Sequence, residues 1–201
     1  MTAKSITRLF WRPVRTTVAF AKSCRSAAEL EVRKRAWIRE QEKFGCQIAK
    51  DIEFSGLGPA SGWLEMGRDV LLQKQITIWL SPYSSAPKLK IEDRVFVGQN
   101  VMLVAHEAIS IGKNAMIGHY SHITSCNHNY QRRDIPIRDQ GFVGEPVAVG
   151  EDVWIGTYAV ILPGVVIGKG SIIAAGSVVT HNIPDYEVWG GVPARFIKRR
   201  D

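Results

Sequence analysis

The sequence predicts a mainly β protein, a parallel β-helix built from six-residue repeats, with an N-terminal helical extension and a short C-terminal tail. The main observation is an unbroken period of six in the C-terminal half, where the aliphatic residues are Val149, Ile155, Ile161, Ile167, Ile173 and Val179. This period is typical of a solenoid, because each unit makes one short strand and one turn, and its aliphatic residue stacks inward on the next coil.

The first 50 residues are predicted to form a basic, helical extension. Residues 1–44 hold eleven Lys and Arg against four Asp and Glu, whereas the rest of the chain holds fifteen of each. Pro13 suits an early helix position, and the stretch after it is rich in Ala, Glu, Arg and Lys. Such a helix either packs on the β-helix or between subunits, or lies on an anionic membrane surface. No nucleic-acid motif accompanies the charge, so no nucleic-acid partner is expected.

The β-helix itself is predicted over residues 51–183. Upstream of the main period, the six-residue spacing recurs at residues 91, 97 and 103 and again at residues 111, 117 and 123. The step between the two groups is eight residues, so two extra residues bulge from one turn near His106. Residues 52–90 contain apolar runs with poor periodicity, which predicts one or two irregular first coils.

A loop thrown out of the solenoid is predicted over residues 124–148. The spacing from Ile123 to Val149 is twenty-six residues, and residues 124–146 carry no repeat. Long loops without regular structure in compact domains are usually functional, so this loop is expected to carry chemistry. The segment 184–201 is predicted as a C-terminal tail with a basic end.

Composition predicts a cytoplasmic protein, either free or peripheral at the inner face of the membrane. No apolar run is long enough to span a bilayer, and the N-terminal apolar stretch is too short for a secretory signal. Cys24, Cys46 and Cys126 have no paired spacing, which favours a reducing compartment over a disulfide framework.

Several motifs within residues 90–200 resemble the hexapeptide-repeat acyltransferases. They are Ile117-Gly118 through Asn127-His128, Val153-Trp154-Ile155-Gly156, Ile161-Leu162-Pro163-Gly164, Gln140-Gly141-Phe142, Ala175-Gly176-Ser177-Val178-Val179 and Gly190-Gly191-Val192-Pro193-Ala194. The resemblance is closest to the O-acetyltransferases of bacterial polysaccharides and sugars. It implies a left-handed β-helix, acetyl-CoA as co-substrate, and a homotrimer with active sites in the clefts between neighbouring solenoids.

The resemblance also implies that His128 is the catalytic residue. His128 follows Ile117 by eleven residues, the interval at which the relatives place their catalytic histidine. The chemistry needs such a group, because an alcohol is a poor nucleophile until a neutral imidazole takes its proton.

Four further residues are candidates for binding the acceptor substrate. Asn127 precedes the catalytic candidate, and His106 lies in the two-residue bulge one coil away. Asn100 could reach the acceptor, although Gly98-Gln99-Asn100 also suits an ordinary turn. Trp154 could form a wall of the substrate or cofactor pocket, or could pack between subunits.

The resemblance places acetyl-CoA along a groove between two late solenoids. Gly156, Thr157 and Ala175 would form its wall, where small residues let a thin cofactor arm approach the backbone closely. Lys198 and Arg199 suit the phosphates, with Lys169 as a further candidate. Coil stacking alone also requires small residues, and a basic chain end is often only solvated.

A metal site is not expected. Ile117-Gly118-His119 resembles a motif of the zinc-dependent carbonic anhydrases, which belong to the same solenoid class. Those enzymes place a second histidine five residues later, where this chain has Thr124. Because a metal needs ligands that converge at fixed distances, the missing histidine argues against a metal enzyme.

The combined prediction is an acetyl-CoA-dependent O-acetyltransferase that acts on a sugar hydroxyl, in cell-surface polysaccharide biosynthesis, by direct transfer in a ternary complex. One alternative is an N-acetyltransferase of an amino sugar or a small-molecule antibiotic, because the same histidine could deprotonate an amine. A second alternative is a non-enzymatic solenoid scaffold that uses the basic N-terminal segment.

Overall fold

The computed structural model describes residues 27–56, 58–59, 62–83 and 89–201, which contain one α-helix followed by twenty-one short strands. The helix α1 spans Ala27–Glu42. The strands are β1 Gln47–Ile48, β2 Glu53–Gly56, β3 Leu64–Met66, β4 Leu71–Leu72, β5 Thr77–Leu80, β6 Leu89–Ile91, β7 Phe96–Val97, β8 Met102–Ala105, β9 Ile109–Ile111, β10 Met116–Ile117, β11 His122–Thr124, β12 Cys126–His128, β13 Phe142–Gly144, β14 Val147–Val149, β15 Trp154–Ile155, β16 Val160–Ile161, β17 Val166–Ile167, β18 Ile172–Ile173, β19 Val178–Val179, β20 Glu187–Gly190 and β21 Arg195–Arg199.

These strands form the three faces of a left-handed parallel β-helix, which confirms the predicted fold class. Face A consists of β1, β4, β7, β10, β15, β18 and β20. Face B consists of β2, β5, β8, β11, β16 and β19, and face C of β3, β6, β9, β14 and β17. The chain visits A, B and C in turn, so that β1–β3 form coil 1, β4–β6 coil 2, β7–β9 coil 3, and so on to coil 6.

The repeating aliphatic residues fill the inside of this prism. All six residues of the main period are buried, and Ile155, Ile161 and Ile173 have no exposed surface. Each packs on its equivalent one coil away, as in the parallel pair of β15 with β18, where Ile155 lies beside Ile173. Inward stacking of one aliphatic residue per hexad is therefore the physical basis of the sequence period.

The first two coils are regular in structure although their sequence is not periodic. The first strand begins at Gln47, inside the segment 1–50 that was predicted as the extension. Paired residues on face A are 24 apart from Gln47 to Leu71, whereas they are 18 apart from Trp154 to Ile172. Longer corners between the early strands therefore interrupt the six-residue spacing without disturbing the strand pairing.

Separate elements pack at the two ends of the chain. The helix α1 confirms the predicted N-terminal helix, and its Trp37 packs edge-on against Phe54 of β2 with ring centroids 5.4 Å apart. Lys34 donates from Nζ to the carbonyl oxygen of Ile52, 3.2 Å away. At the other end, the predicted tail instead continues face A, because β20 pairs in parallel with β18 before β21 folds back on it.

Within the described ranges, no helix is long and apolar enough to cross a membrane. Residues 1–26 lie outside the described residues. The predictions that fall on them, including the membrane contact and the compartment inferred partly from Cys24, therefore remain predictions.

Candidate active site

The long loop within coil 4, between β11 on face B and β14 on face C, has the structure of a β-hairpin. The chain leaves face B after β11, and β12 then pairs antiparallel with β13, which sets His128 opposite Phe142. The hairpin tip contains a single 3-10 turn at Ile137–Asp139. Its Gln140 side chain donates to the carbonyl oxygens of Arg132 and Ile135, each 2.7 Å away. The tip is thus ordered by its own hydrogen bonds.

The base of the hairpin is joined to the two-residue bulge in coil 3 by one buried hydroxyl. Ser125 Oγ accepts from the backbone N–H groups of His106 and Glu107, both 3.0 Å away, and lies 2.8 Å from the carbonyl oxygen of Glu107. Gly144 closes the same junction, since a Cβ there would lie 2.7 Å from His106 Cδ2. The hairpin and the bulge therefore form one hydrogen-bonded unit.

His128 lies in this unit on an exposed part of the hairpin. Its ring centroid is 4.6 Å from that of Phe142, and the planes are inclined by 34°. The buried His106 contacts the same phenylalanine, with centroids 5.9 Å apart, and its Nδ1 forms a 2.9 Å hydrogen bond with Ser81 Oγ. His128 is thus oriented by a ring on the protein side while its own side chain remains exposed.

The two neighbours of His128 on β12 differ in what they can contribute. Side chains alternate along a strand, so Asn127 projects from the opposite side of the hairpin to His128 and Cys126 from the same side. Burial raises the pKa of the Cys126 thiol, and the nearby Thr124 hydroxyl opposes that effect. The thiol is therefore protonated at neutral pH, and because the thiolate is the reactive form, Cys126 is a poor candidate for a covalent acyl carrier.

The remaining histidines have structural surroundings. His119 Nδ1 accepts from the backbone N–H of Gln99 at 3.0 Å, and its ring packs edge-on against Phe96. His122 is half-buried on face B, and His181 lies in an exposed turn beside Thr180. Among the described residues, no three His, Cys, Asp or Glu side chains converge as a metal site would require.

The predicted cofactor-binding residues lie on other edges of the prism. Gly156, Thr157 and Ala175 occupy the corner between faces A and B (the A–B corner). The coils approach closely there, because a Cβ at Gly156 would lie 2.6 Å from the Ala175 nitrogen, and the Gly176 N–H donates to the Thr157 carbonyl at 2.8 Å. Asn100 lies at the same corner in coil 3, where its backbone has a φ of +58°.

The charged cofactor candidates are also dispersed. Lys169 lies between faces C and A and forms a 3.2 Å ion pair with Glu151, which raises the pKa of Lys169. Lys198 and Arg199 lie on the exposed strand β21, where Arg199 Nε is 3.9 Å from a Glu187 carboxylate oxygen. Trp154 projects from face A and is half-exposed.

Within one chain, the structure therefore brings together only part of the predicted site. His106 and His128 meet around Phe142 at the corner between faces B and C (the B–C corner). The small cofactor candidates and Asn100 lie across face B at the A–B corner, and the charged candidates lie between faces C and A or on β21. Sequence reasoning did not identify Phe142 or Ser125 as functional. Phe142 belongs to the Gln140-Gly141-Phe142 motif, which could have indicated its role. Ser125 forms its hydrogen bonds with residues 18 and 19 positions away, and no local sequence pattern marks such contacts.

Two hexapeptide families match parts of the chain. Residues 146–181 match the family described as bacterial transferase hexapeptide (six repeats), and residues 88–119 match the family described as hexapeptide repeat of succinyl-transferase. A probable acetyltransferase of Mycobacterium tuberculosis is 31% identical over 159 residues, which are 76% of this chain and 52% of that protein. The chain thus spans about half the length of this curated relative.

Solved structures of several acyltransferases are similar in fold. AntD, an N-acyltransferase from Bacillus cereus in complex with dTDP-4-amino-4,6-dideoxyglucose and coenzyme A, matches with a TM-score of 0.68 and 21% identity over 82% of this chain and 89% of that chain. A hexapeptide-repeat acetyltransferase from Vibrio cholerae in complex with acetyl-CoA has a TM-score of 0.56 and 23% identity over 96% of this chain and 93% of that chain. PerB from Caulobacter crescentus, in complex with CoA and GDP-perosamine, has a TM-score of 0.54 and 20% identity over 84% of this chain and 67% of that chain.

Proposed function

The chain belongs to the hexapeptide-repeat acyltransferase family, and from that premise we propose that it is an acetyl-CoA-dependent O-acetyltransferase of a sugar hydroxyl in cell-surface polysaccharide biosynthesis. The observation that carries this proposal is the exposed imidazole of His128, which is oriented by Phe142 on a hairpin fixed to the β-helix. A general base needs such a position, because it must reach the proton that it removes.

In the proposed reaction, the His128 imidazole takes the proton of the acceptor hydroxyl as the oxygen attacks the thioester carbonyl carbon. The carbon–sulfur bond then breaks, and the CoA thiolate leaves and recovers a proton from the imidazolium. General-base catalysis of this kind contributes about 10²–10⁴-fold to the rate. A protonated Cys126 thiol is consistent with direct transfer and with no covalent acyl-enzyme.

The donor would lie along the A–B corner over the exposed Ala175 and the half-buried Thr157, with Gly156 buried beneath them where the next coil packs against it. Lys198 and Arg199 would meet the CoA phosphates as exposed cations. We place Lys169 second, because its ammonium is already paired with Glu151. Asn100 would face the acceptor from the same corner, and Asn127 would hold the hairpin rather than the sugar.

Because this corner lies across face B from His128 in one chain, the proposed site is completed in a homotrimer, with the hairpin of one subunit facing the A–B corner of its neighbour. Exposed apolar residues on face A, among them Met116 and Trp154, support an interface there. The location we propose is the cytoplasm, free or at the inner face of the membrane.

N-acylation of an amino sugar is the second candidate. It is supported by the likeness in fold to AntD, an N-acyltransferase solved with an amino-sugar nucleotide, and to PerB, solved with GDP-perosamine. The same imidazole would deprotonate an ammonium or an amine instead of a hydroxyl. An acceptor screen with matched pairs of hydroxy and amino sugars separates the two reactions by the product formed.

The first test is a thermal melt with acetyl-CoA, with free CoA and AMP as controls. A ligand that binds only the native state stabilises it by about 2.7 kcal/mol at 100 times its Kd. We expect a CoA-specific increase of Tm in the wild type. Absence of any increase at millimolar acetyl-CoA would favour a non-enzymatic scaffold.

The second test replaces the proposed base. His128→Ala should lower kcat by about 10²–10⁴-fold, because the hydroxyl proton then has no acceptor in the site. The Tm increase with acetyl-CoA should be unchanged, since His128 does not bind the donor. His181→Ala removes an exposed histidine from the turn after β19, two coils beyond the hairpin, and should retain full turnover. Unchanged turnover in His128→Ala would overturn the assignment.

A further inference from the structure

Phe142 is the centre of an aromatic cluster that extends beyond the candidate base. Besides His128 and His106, its ring lies near Tyr83, with centroids 6.1 Å apart and planes inclined by 21°, and near Trp79, with centroids 6.4 Å apart. Trp79 projects outward from β5, and Tyr83 follows in the next turn. Residues from coil 2, coil 3 and the hairpin thus converge on one ring.

Buried residues support this cluster on one side, and its other side is exposed. The buried His106 supports Phe142 and is itself held by Ser81, whose hydroxyl also accepts from the Tyr83 N–H at 3.2 Å. By contrast, the side of the cluster beside His128 is accessible, since Phe142 is 40% and Tyr83 64% exposed. Ordered aromatic rings that remain exposed next to a candidate base indicate a binding surface.

We propose that Tyr83, Phe142 and Trp79 form a platform that binds a pyranose ring of the acceptor, with one of its hydroxyls directed at His128. A pyranose has an apolar face of C–H groups and a rim of hydroxyls. The C–H face complements the electron-rich face of an aromatic ring, and the rim complements the Tyr83 hydroxyl and the histidine imidazole. This inference rests on the proposed function and names the substrate class of the same site.

The chemistry of the platform distinguishes the acceptor from the donor. The residues suited to CoA lie at the A–B corner and on β21, so the rings at the B–C corner are not needed for the donor. The platform also adjoins the imidazole that must receive the hydroxyl proton. A flexible acyl chain or an open-chain polyol lacks the rigid C–H face that the Tyr83 and Phe142 rings, which are inclined by only 21°, would recognise.

The kinetic test is Phe142→Leu, which keeps an apolar side chain and removes the ring face. The KM for a saccharide acceptor should rise roughly tenfold, the size of one aromatic stacking contact. The Tm increase with acetyl-CoA should be unchanged. Phe142→Tyr should restore the KM, and Val143→Leu, at the adjacent exposed position that faces the other way, should leave it unaltered. An unchanged KM in Phe142→Leu would overturn the platform.

A binding test separates failure of the platform from failure of the proposed reaction. Saturation-transfer NMR without acetyl-CoA would compare a panel of methyl hexopyranosides with the corresponding open-chain hexitols. Transfer from aromatic protons to ring C–H protons is expected in the wild type and not in Phe142→Leu. Equal signals in the two proteins, equal signals from hexitols, or no signal would refute the platform. A signal that depends on Phe142 in a protein without transferase activity would refute only the proposed reaction.

Discussion

Ser125 shows how a single side chain at the residue scale can position a site. Its buried hydroxyl accepts hydrogen bonds from the backbone N–H groups of His106 and Glu107 in the bulge. Ser125 is also the last residue before β12, the first strand of the hairpin. The carbonyl oxygen of Ser125 in turn accepts from the N–H of Glu145, which returns from the hairpin. Because Ser125 is fully buried, its hydroxyl is the acceptor on which both N–H groups depend.

Replacement of Ser125 by Ala should therefore destabilise the protein. The buried N–H of His106 and the partly buried N–H of Glu107 would lose their acceptor, and an unsatisfied buried donor costs about 1–3 kcal/mol. We expect the free energy of unfolding in urea to fall by at least that amount. Ser110→Ala is the matched control, because Ser110 is exposed on face C. Equal stability of the two variants would show that the hydroxyl is not needed at the junction.

Individual residues were predictable only where a register defined them. His128 could be selected because a fixed interval from Ile117 placed it at the start of the loop, and its role stays a prediction until it is tested. Phe142 lay in the Gln140-Gly141-Phe142 motif, but neither its role nor that of Ser125 could be assigned, because both roles arise from contacts across coils and across a hairpin. Their partners are 14 and 18 or more residues away, distances at which no local pattern applies.

At the scale of the element, β11 contains a polar side chain that its strand position does not favour. His122 projects outward from face B between Met102 and Val160 of the neighbouring strands. Its Nε2 atom is buried without a hydrogen-bond partner among the described residues. Burial lowers the pKa of His122, because a charged imidazole would lose its hydration there.

Stability should consequently depend on the protonation of His122. Its pKa in the folded state lies below the unfolded value of about 6.5, so the unfolded state binds more protons between the two values. The stability contribution is complete above pH ~6.5 and is lost as the pH falls through that value towards the lower folded pKa. The neutral form is the one that the fold accommodates.

His122→Val should remove this acid-dependent loss and raise the free energy of unfolding at pH 7.5 by about 1–3 kcal/mol, because no orphaned nitrogen remains. Valine also suits the strand, since Val160 occupies the paired position. Urea unfolding between pH 5.5 and 7.5 measures both effects. His181→Val, in an exposed turn, should keep the pH dependence of the wild type; a His122→Val protein that keeps it too would contradict the account.

Elements were predictable to the extent that their spacing was regular. The strands of coils 5 and 6 follow from the six-residue period, because every corner there has the same length. The early strands β2 to β5 were predicted only as irregular coils, and β1 lay within the predicted extension, since longer corners hide the period while the pairing is preserved. The loop 124–148 was located by the absence of the repeat, but its hairpin pairing leaves no such signature.

At the scale of the whole molecule, face A is apolar over six of its seven strands, whereas face C is polar in its first three strands and has Ala148 and Val166 in the last two. From β4 onward, the outward residues that pair across face A are Leu71, Phe96, Met116, Trp154, Ile172 and Val188, and the outward residue of β1 is Gln47. Those across the first three strands of face C are Glu65, Lys90 and Ser110. A continuous apolar ladder on the outside of a solenoid is typical of an interface, which agrees with the proposed trimer.

Trp154→Glu tests the trimer and the shared site together. A carboxylate in a buried interface loses its hydration without a partner, at a cost of several kcal/mol, so the variant should be monomeric in size-exclusion chromatography with light scattering. Turnover should fall with it, because the hairpin of one subunit no longer faces the A–B corner of the next. Ser110→Glu adds the same charge to face C and should remain trimeric and active. A monomeric wild type, or a trimeric Trp154→Glu, would rule out face A as the interface, and would leave Gly156, Thr157 and Ala175 separated from His128 by the width of face B.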